Sequence, residues 1–240
     1  MKTILLASAS PARKQTLLNA GISPSVAVSN VDEDFLLAEL KKSYGLSESE
    51  PPASDQVQLL AQAKASEVYA RLAEAALREE PAQISLDSFA THNENNPLGT
   101  TLPTVVIGCD SMLLMNGAVV GKPHSPQVAR ARLREMSGRW GDLYTGHCVI
   151  DTATGTSAEG VSVARVHIAE LSNAEIDAYV ASGEPLHVAG SFTVDGLGGP
   201  FVEKIEGDYH GVVGISLPLV RNLLTELGHS IQEFWNKSDL

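Results

Sequence analysis

Val105-Val106-Ile107-Gly108-Cys109-Asp110 is an unbroken apolar run that ends in a carboxylate. Runs without polar alternation belong to strands covered on both faces, and such strands lie inside α/β sheets whose helices supply the covers. Ligands of these sheets gather at the carboxyl ends of the strands. The run therefore predicts an interior strand closing at Asp110, with that carboxylate placed to act as a catalytic or metal-binding group. The same aspartate would serve equally as a plain strand-end cap that bonds its own backbone in a turn.

Upstream, residues 3–7 read as a first strand, and Ser8-Ala9-Ser10-Pro11 leads into a helix over 12–20. Ser10 as N-cap, Pro11 as first helical residue and Gly21 past the end agree with one another. A second extended segment covers 25–31, and the acidic cluster Asp32-Glu33-Asp34 reads as a charged turn. A long helix is predicted from 54 to about 78, with Val57, Leu60, Ala61, Val68 and Leu72 on one side. Residues 80–103, with three prolines and a polar run, read as a long flexible insertion in one domain.

Downstream, Asn116-Gly117 marks a hairpin between 112–115 and 118–120. Ser125-Pro126 starts a helix that ends at Gly138, and strands follow at 142–150 and 157–170. Ser172-Asn173-Ala174-Glu175 is a capping box for a helix to about 181. Residues 183–214 read as glycine-rich short strands before a closing helix over 218–227. Crossovers and hairpins together predict an α/β fold with a mixed, largely antiparallel sheet and flanking helices. One domain is expected over 1–228, with a tail at 229–240.

Bulk composition bounds the function. A net charge of −12 argues against a protein that lives on duplex nucleic acid or an anionic membrane, since either needs a basic surface. Two cysteines, Cys109 and Cys148, are too few for a disulfide framework and point to a reducing cytoplasm. No apolar stretch approaches membrane-spanning length, so a soluble cytoplasmic protein is expected. The histidines lack metal-ligand spacing, which favours oxygen ligands for any metal.

Several residues could carry chemistry. The Ser8-Ala9-Ser10 turn feeds a helix amino terminus whose free N–H groups attract anions, and Arg13 adds a guanidinium suited to phosphate oxygens. A serine cap beside a solvated arginine is the plainer reading. Lys64 falls on the apolar side of the long helix, where it either snorkels to the core edge or points into a ligand-filled cleft. Lys122 lies in the stiff loop Gly121-Lys122-Pro123, suited to phosphate or simply solvated. Glu33 and Asp110 as oxygen ligands, with Arg13, Lys64 and Lys122 as cations, match a metal-assisted nucleotide reaction.

These segments resemble the Maf family of nucleotide pyrophosphatases. The resemblance is carried by Leu6-Ala7-Ser8-Ala9-Ser10-Pro11-Ala12-Arg13, Val31-Asp32-Glu33, Ala63-Lys64-Ala65, Ile107-Gly108-Cys109-Asp110-Ser111 and Gly121-Lys122-Pro123. It continues through Tyr144-Thr145-Gly146, Ser182-Gly183-Glu184-Pro185, Ala189-Gly190-Ser191-Phe192, Gly207-Asp208-Tyr209 and Val212-Val213-Gly214, and the wording of several segments is similar to the actinobacterial branch.

The resemblance implies hydrolysis of nucleoside triphosphates to monophosphate and pyrophosphate, removing non-standard or excess nucleotides. It also implies a divalent cation (Mg2+ or Mn2+), a homodimer, and a cleft between two lobes. By the same resemblance Asp110 is the proton acceptor, assisted by Lys64 and Lys122, while Ser8, Arg13 and Glu33 line the triphosphate and metal site; Glu33 and Asp110 are the metal ligands. Base selectivity falls to Ala12, Ser111 and Asp195. Ala12 matches neither the pyrimidine-preferring nor the methylated-guanine-preferring subgroup, while Asp195 could accept from the amino edge of guanine or cytosine. A non-catalytic, nucleotide-binding regulator of septum formation is the alternative.

Overall fold

The computed structural model describes residues 2–77 and 102–236, so the expected insertion lies almost wholly outside the described residues. Strand β1 (Ile4–Leu6) is buried on both faces and hands over to α1 (Pro11–Asn19). Ser10 caps that helix by accepting from the Arg13 N–H, Pro11 has no N–H to waste in the first turn, and Gly21 leaves at φ 75°. The second extended segment is shorter than expected: only β2 (Ser25–Val26) pairs, after which the chain leaves the sheet.

The acidic cluster is a helix start rather than a turn. Asp32 caps α2 (Glu33–Ser43) by accepting from the Phe35 N–H, with Glu33 and Asp34 at the positive end of the dipole and Lys41 and Lys42 at the negative end. α3 (Ala53–Leu77) is the long helix. Strand β3 (Val105–Met115) then turns through Asn116 (φ 51°) and Gly117 (φ 78°) into β4 (Ala118–Val120), the two positive angles a tight type I′ hairpin requires. Ser125 caps α4 (Pro126–Met136), and two long strands follow, β5 (Trp140–Asp151) and β6 (Ser157–Ile168).

The predicted capping box is present on α5 (Asn173–Ala181), with Ser172 and Glu175 bonding reciprocally. Residues 184–201 form three 3-10 turns where short strands are expected, because Gly183, Gly190 and Ser191 all take positive φ and break extended pairing. One strand, β7 (Val202–Gly207), and two helices, α6 (Tyr209–Val213) and α7 (Leu217–Glu226), complete the order.

Among the described residues the sheet has seven strands in the order β2-β1-β3-β5-β6-β7, with β4 paired to β3. β1 pairs parallel with β2 and β3, and every other pairing is antiparallel, so the sheet is mixed and largely antiparallel as the element order predicts. Asp110 does not end its strand. β3 runs on past it to Met115, paired with β5 from Val105 to Leu114. Its other edge is shared: β1 occupies it as far as Ile107, and β4 takes it up again at Leu113. Asp110 and Ser111 stand in the notch between them.

Side-chain parity divides the core. Ile4, Leu6, Ile107, Cys109 and Val149 face α7 through Val220, Leu223 and Leu224, whereas Leu5, Ala7, Val106, Cys148 and Ile150 face α3 through Ala61, Ala65, Val68 and Leu72. Phe234, 2% exposed, joins the first cluster, Ile22 bridges to Trp235 and the Asn236 N–H donates to the Gly21 carbonyl, so residues 229–236, read as a tail, pack on the core and on the α1–β2 connection.

α3 lies unusually close to the sheet because β3 and β5 present glycines to it. A Cβ on Gly108 would stand 2.2 Å from the Ala61 carbonyl oxygen, and one on Gly146 would stand 2.3 Å from that of Val57. Backbone cannot yield as a side-chain tip can. Gly108→Ala is therefore expected to cost about 1–3 kcal/mol of stability, read as a lower urea midpoint with an unchanged slope. An unshifted midpoint would mean that this contact is not tight in solution.

Candidate active site

The notch opens into a cleft of about 530 Å³, within the range of small-molecule sites. Ser8, Ala12, Arg13, Glu33, Lys64, Asp110, Ser111, Lys122 and Asp195, all singled out from sequence, line this one cleft. Topology explains the convergence. The β1–α1 turn leaves at one side of the notch, Lys122 follows β4 at the other, and Asp110 and Ser111 project from β3 between them.

Consecutive strand residues point to opposite faces, so Asp110 and Ser111 enter different networks. On one face Ser111 Oγ accepts from Arg13 Nη2 at 3.1 Å and lies 2.9 Å from Thr145 Oγ1, which donates to the Gly211 carbonyl at 2.9 Å. Arg13 Nη1 donates to Ser8 Oγ at 3.0 Å and Nε to the Gly214 carbonyl at 2.7 Å. Three fixed contacts hold the guanidinium against rotation and leave two of its five N–H groups for a ligand. Ser8 Oγ also accepts from the Ser10 N–H at 3.2 Å, joining the turn to the same clamp.

On the other face Lys64 comes up from α3. Its ammonium donates to Asp110 Oδ1 at 2.6 Å and pairs with Glu33 Oε1 at 2.8 Å, and Lys64 and Asp110 are each only 9% exposed. Lys64 thus points into the cleft and does not snorkel. Each carboxylate has further lone pairs, so Glu33 and Asp110 are the pair that could hold a hard cation beside the phosphate-type turn. Among the described residues no group of three or more histidine, cysteine or acidic side chains could form a closed metal cage.

The remaining wall is apolar. Leu143, Val188, Ala189, Phe192, Val194 and Val212 line it, with exposed Asp195 at its rim. Lys122, also exposed, reaches the cleft from the loop after β4, where Arg132 bonds the Gly121 carbonyl. Thr145, Gly214 and Thr193 belong to the site too, yet sequence reasoning gave them no role. A threonine next to a glycine inside a long strand is the faint signal for Thr145; Gly214 needs φ 120°, and a Cβ there would meet Arg13 Nε at 3.2 Å.

Other titratable groups nearby are structural. Burial pushes the Cys109 thiol up to about 11 and the Cys148 thiol up to about 12, so both stay protonated, and they face opposite sides of the sheet. His147 lies 3.0 Å from the Thr145 carbonyl through Nδ1 and accepts from the Ser216 N–H at 2.8 Å through Nε2, which defines a neutral imidazole.

Burial and the Arg13 charge push His147 down to about 4. Between that value and about 6.5, the ordinary histidine value, the unfolded chain takes up a proton that the folded protein refuses. Stability is expected to fall as pH drops through that window. Urea midpoints from pH 7 to 4.5 measure it, and an NMR titration showing His147 protonated at pH 6 would remove this cause.

Comparison with known proteins bears on the same residues. The sequence profile described as Maf-like protein matches residues 3–227. A nucleoside triphosphate pyrophosphatase of Nocardia farcinica is 46% identical over 97% of this chain and 96% of its own length. One of Synechocystis sp. is 40% identical over 97% of this chain and 98% of its own. A nucleoside triphosphate pyrophosphatase/Nudix hydrolase fusion protein of Bifidobacterium longum is 37% identical over 97% of this chain, which spans 60% of that fusion's length.

Proposed function

The chain belongs to the Maf family, and from that premise we infer that it hydrolyses nucleoside triphosphates to the monophosphate and pyrophosphate. One observation carries the reading: a helix amino terminus, three cations and the carboxylates of Glu33 and Asp110 converge on a single cleft that also has an apolar wall. Phosphates need the first two, a proton acceptor and a hard cation need the third, and a nucleobase fits the last.

Glu33 and Asp110 would hold the divalent cation, Mg2+ or Mn2+, together with substrate oxygens, an incomplete protein shell that suits such ions. When bound, it would supply neutralisation of the charge on the phosphate oxygens. The chain's own groups do the rest. The positive end of α1, where the Ala12 N–H is the donor not already bonded within the turn, and the two free donors of Arg13 grip the phosphate chain.

Asp110 accepts the proton of the water that attacks the α-phosphorus. The bond from that phosphorus to the bridging oxygen breaks, and the charge that moves onto the departing pyrophosphate is met by Lys64 and Lys122. Asp195 at the rim accepts from the amino edge of a base. No helix among the described residues is long and apolar enough to cross a membrane. The two free, buried cysteines support a reducing cytoplasm and the family resemblance supports a homodimer, to be checked by fractionation and sedimentation.

The deciding experiment is pyrophosphate release from a panel of ordinary and modified nucleoside triphosphates with Mg2+ or Mn2+. Release from at least one member of the panel is expected. Binding of nucleotides without any release would leave the regulator reading in its place.

A further inference from the structure

Glu184 takes no part in the phosphate end of the cleft, yet its carboxylate organises the rim opposite. Gly183, at φ 81°, turns the chain out of α5 and starts a 3-10 turn with Glu184. Oε1 accepts from the Tyr179 hydroxyl at 3.0 Å, from the Gly198 N–H at 3.0 Å and from the Thr193 hydroxyl, while Oε2 accepts from the Leu197 N–H at 2.9 Å. The Tyr179 hydroxyl in turn accepts from the Thr193 N–H at 3.1 Å. Both ends of residues 193–198 are thereby tied to one anion.

The segment packs closely on that anchor. A Cβ on Gly196 would stand 2.6 Å from Glu184 Oε2, and one on Gly198 would stand 2.5 Å from the Tyr179 hydroxyl. Burial alone would raise the Glu184 pKa, but hydrogen bonds from Thr193, Leu197, Gly198 and Tyr179 outweigh it and hold the group below the ordinary glutamate range. It is charged at neutral pH. Thr193, itself an anchor, and Val194 and Asp195, which follow it before the second pair of anchors, are the residues of the segment that line the cleft.

We propose that Glu184, acting with Tyr179, is the positioning residue for nucleobase discrimination: it fixes where Thr193 and Asp195 meet the base without touching substrate itself. This rests on the reading of the cleft as a nucleoside triphosphate site. Glu184→Gln keeps the shape but turns a pure acceptor into a group whose NH2 faces N–H and O–H donors, so the loop loses its register. Tyr179→Phe removes only the hydroxyl link and serves where the first variant fails to fold.

The test compares kcat and KM of both variants with wild type over a panel of nucleoside triphosphates, together with inhibition by inorganic pyrophosphate, which reads the phosphate end alone. KM for the preferred nucleotide is expected to rise on the order of tenfold in Glu184→Gln, the ratio between best and worst base to shrink by a similar factor, and kcat and pyrophosphate inhibition to stay near wild type. Tyr179→Phe should shift the same ratio by less, and Glu184→Asp, which keeps the charge, should retain part of the discrimination.

An unchanged base ratio in an active, folded variant overturns the inference, as does a parallel loss of kcat, KM and pyrophosphate binding, which is what general loosening would produce. A wild-type protein that releases no pyrophosphate from any nucleotide fails the activity reading itself, and this inference falls with it.

Discussion

Asp110→Asn is expected to lower turnover by about a thousandfold or more, near the upper range for loss of a general base, while the protein stays folded. Asparagine has the size and shape of aspartate, and position 110 lies within a continuous ladder to β5, opposite Gly146, so its backbone pairing is unaffected. What goes is the capacity to accept a proton and one of two anions around Lys64. Removing one partner of a buried pair costs about 3–5 kcal/mol when the other is left alone. Here Glu33 remains at 2.8 Å from the ammonium, so the cost should be smaller and the thermal midpoint only modestly lower. Single-turnover pyrophosphate release, with circular dichroism as a check on folding, measures both. Turnover within tenfold of wild type in a folded variant would remove Asp110 from the proton-acceptor role.

The position of Asp110 also shows where sequence reasoning stops. The burial of its run was legible because apolar continuity is a local property, and so were the caps of α1, α4 and α5 and the Asn116-Gly117 turn, each set by residues within a few positions. That the run and the hairpin segment 112–115 are one strand was not legible, nor was the gap beside it, since nothing in the run signals that β1 stops at Ile107 and β4 begins at Leu113. The notch that makes the site is made by partners, not by the strand. α2 was missed for a different reason: its apolar side, Leu36, Leu37 and Leu40, is short and only partly buried, and the acidic cluster that starts it reads equally as a charged turn. Between Gly183 and Phe201, positive-φ residues turned an expected set of strands into 3-10 turns.

Candidate residues with strong chemistry were found because charge on an apolar face or in a stiff turn is conspicuous. Lys64 is the example: its spacing demanded an anion, and two carboxylates meet it. Residues that act through geometry were not. Thr145 matters because it bridges Ser111 and the Gly211 carbonyl, contacts that span 34 and 66 positions of sequence. Glu184 matters because its four donors come from Tyr179 and from residues 193–198. Neither partner set is readable from a local window.

Lys64→Met is expected to act in opposite directions on catalysis and on metal affinity. Turnover should fall about a hundredfold to a thousandfold, the range for losing one fixed donor to developing charge. The substrate-free protein, by contrast, should bind Mn2+ more tightly. In the present arrangement the ammonium lies 2.6 Å from Asp110 and 2.8 Å from Glu33, where it satisfies the two groups that would hold a cation. A metal entering there competes with it. Methionine fills a similar volume without charge, leaving two carboxylates whose mutual repulsion a divalent ion relieves. Glu33 is 47% exposed at its side chain, so solvent screens part of that repulsion, and the gain in affinity should be nearer tenfold than the unscreened Coulomb figure allows. Without metal the variant should melt below wild type, and Mn2+ should raise its midpoint by more than it raises that of wild type, because binding to the folded state alone is added stability. Electron paramagnetic resonance of free Mn2+ reads the affinity independently of turnover. Weaker Mn2+ binding in the variant would show that the ammonium helps to build the cation site, and that Lys64 and metal are not rivals for the same two carboxylates.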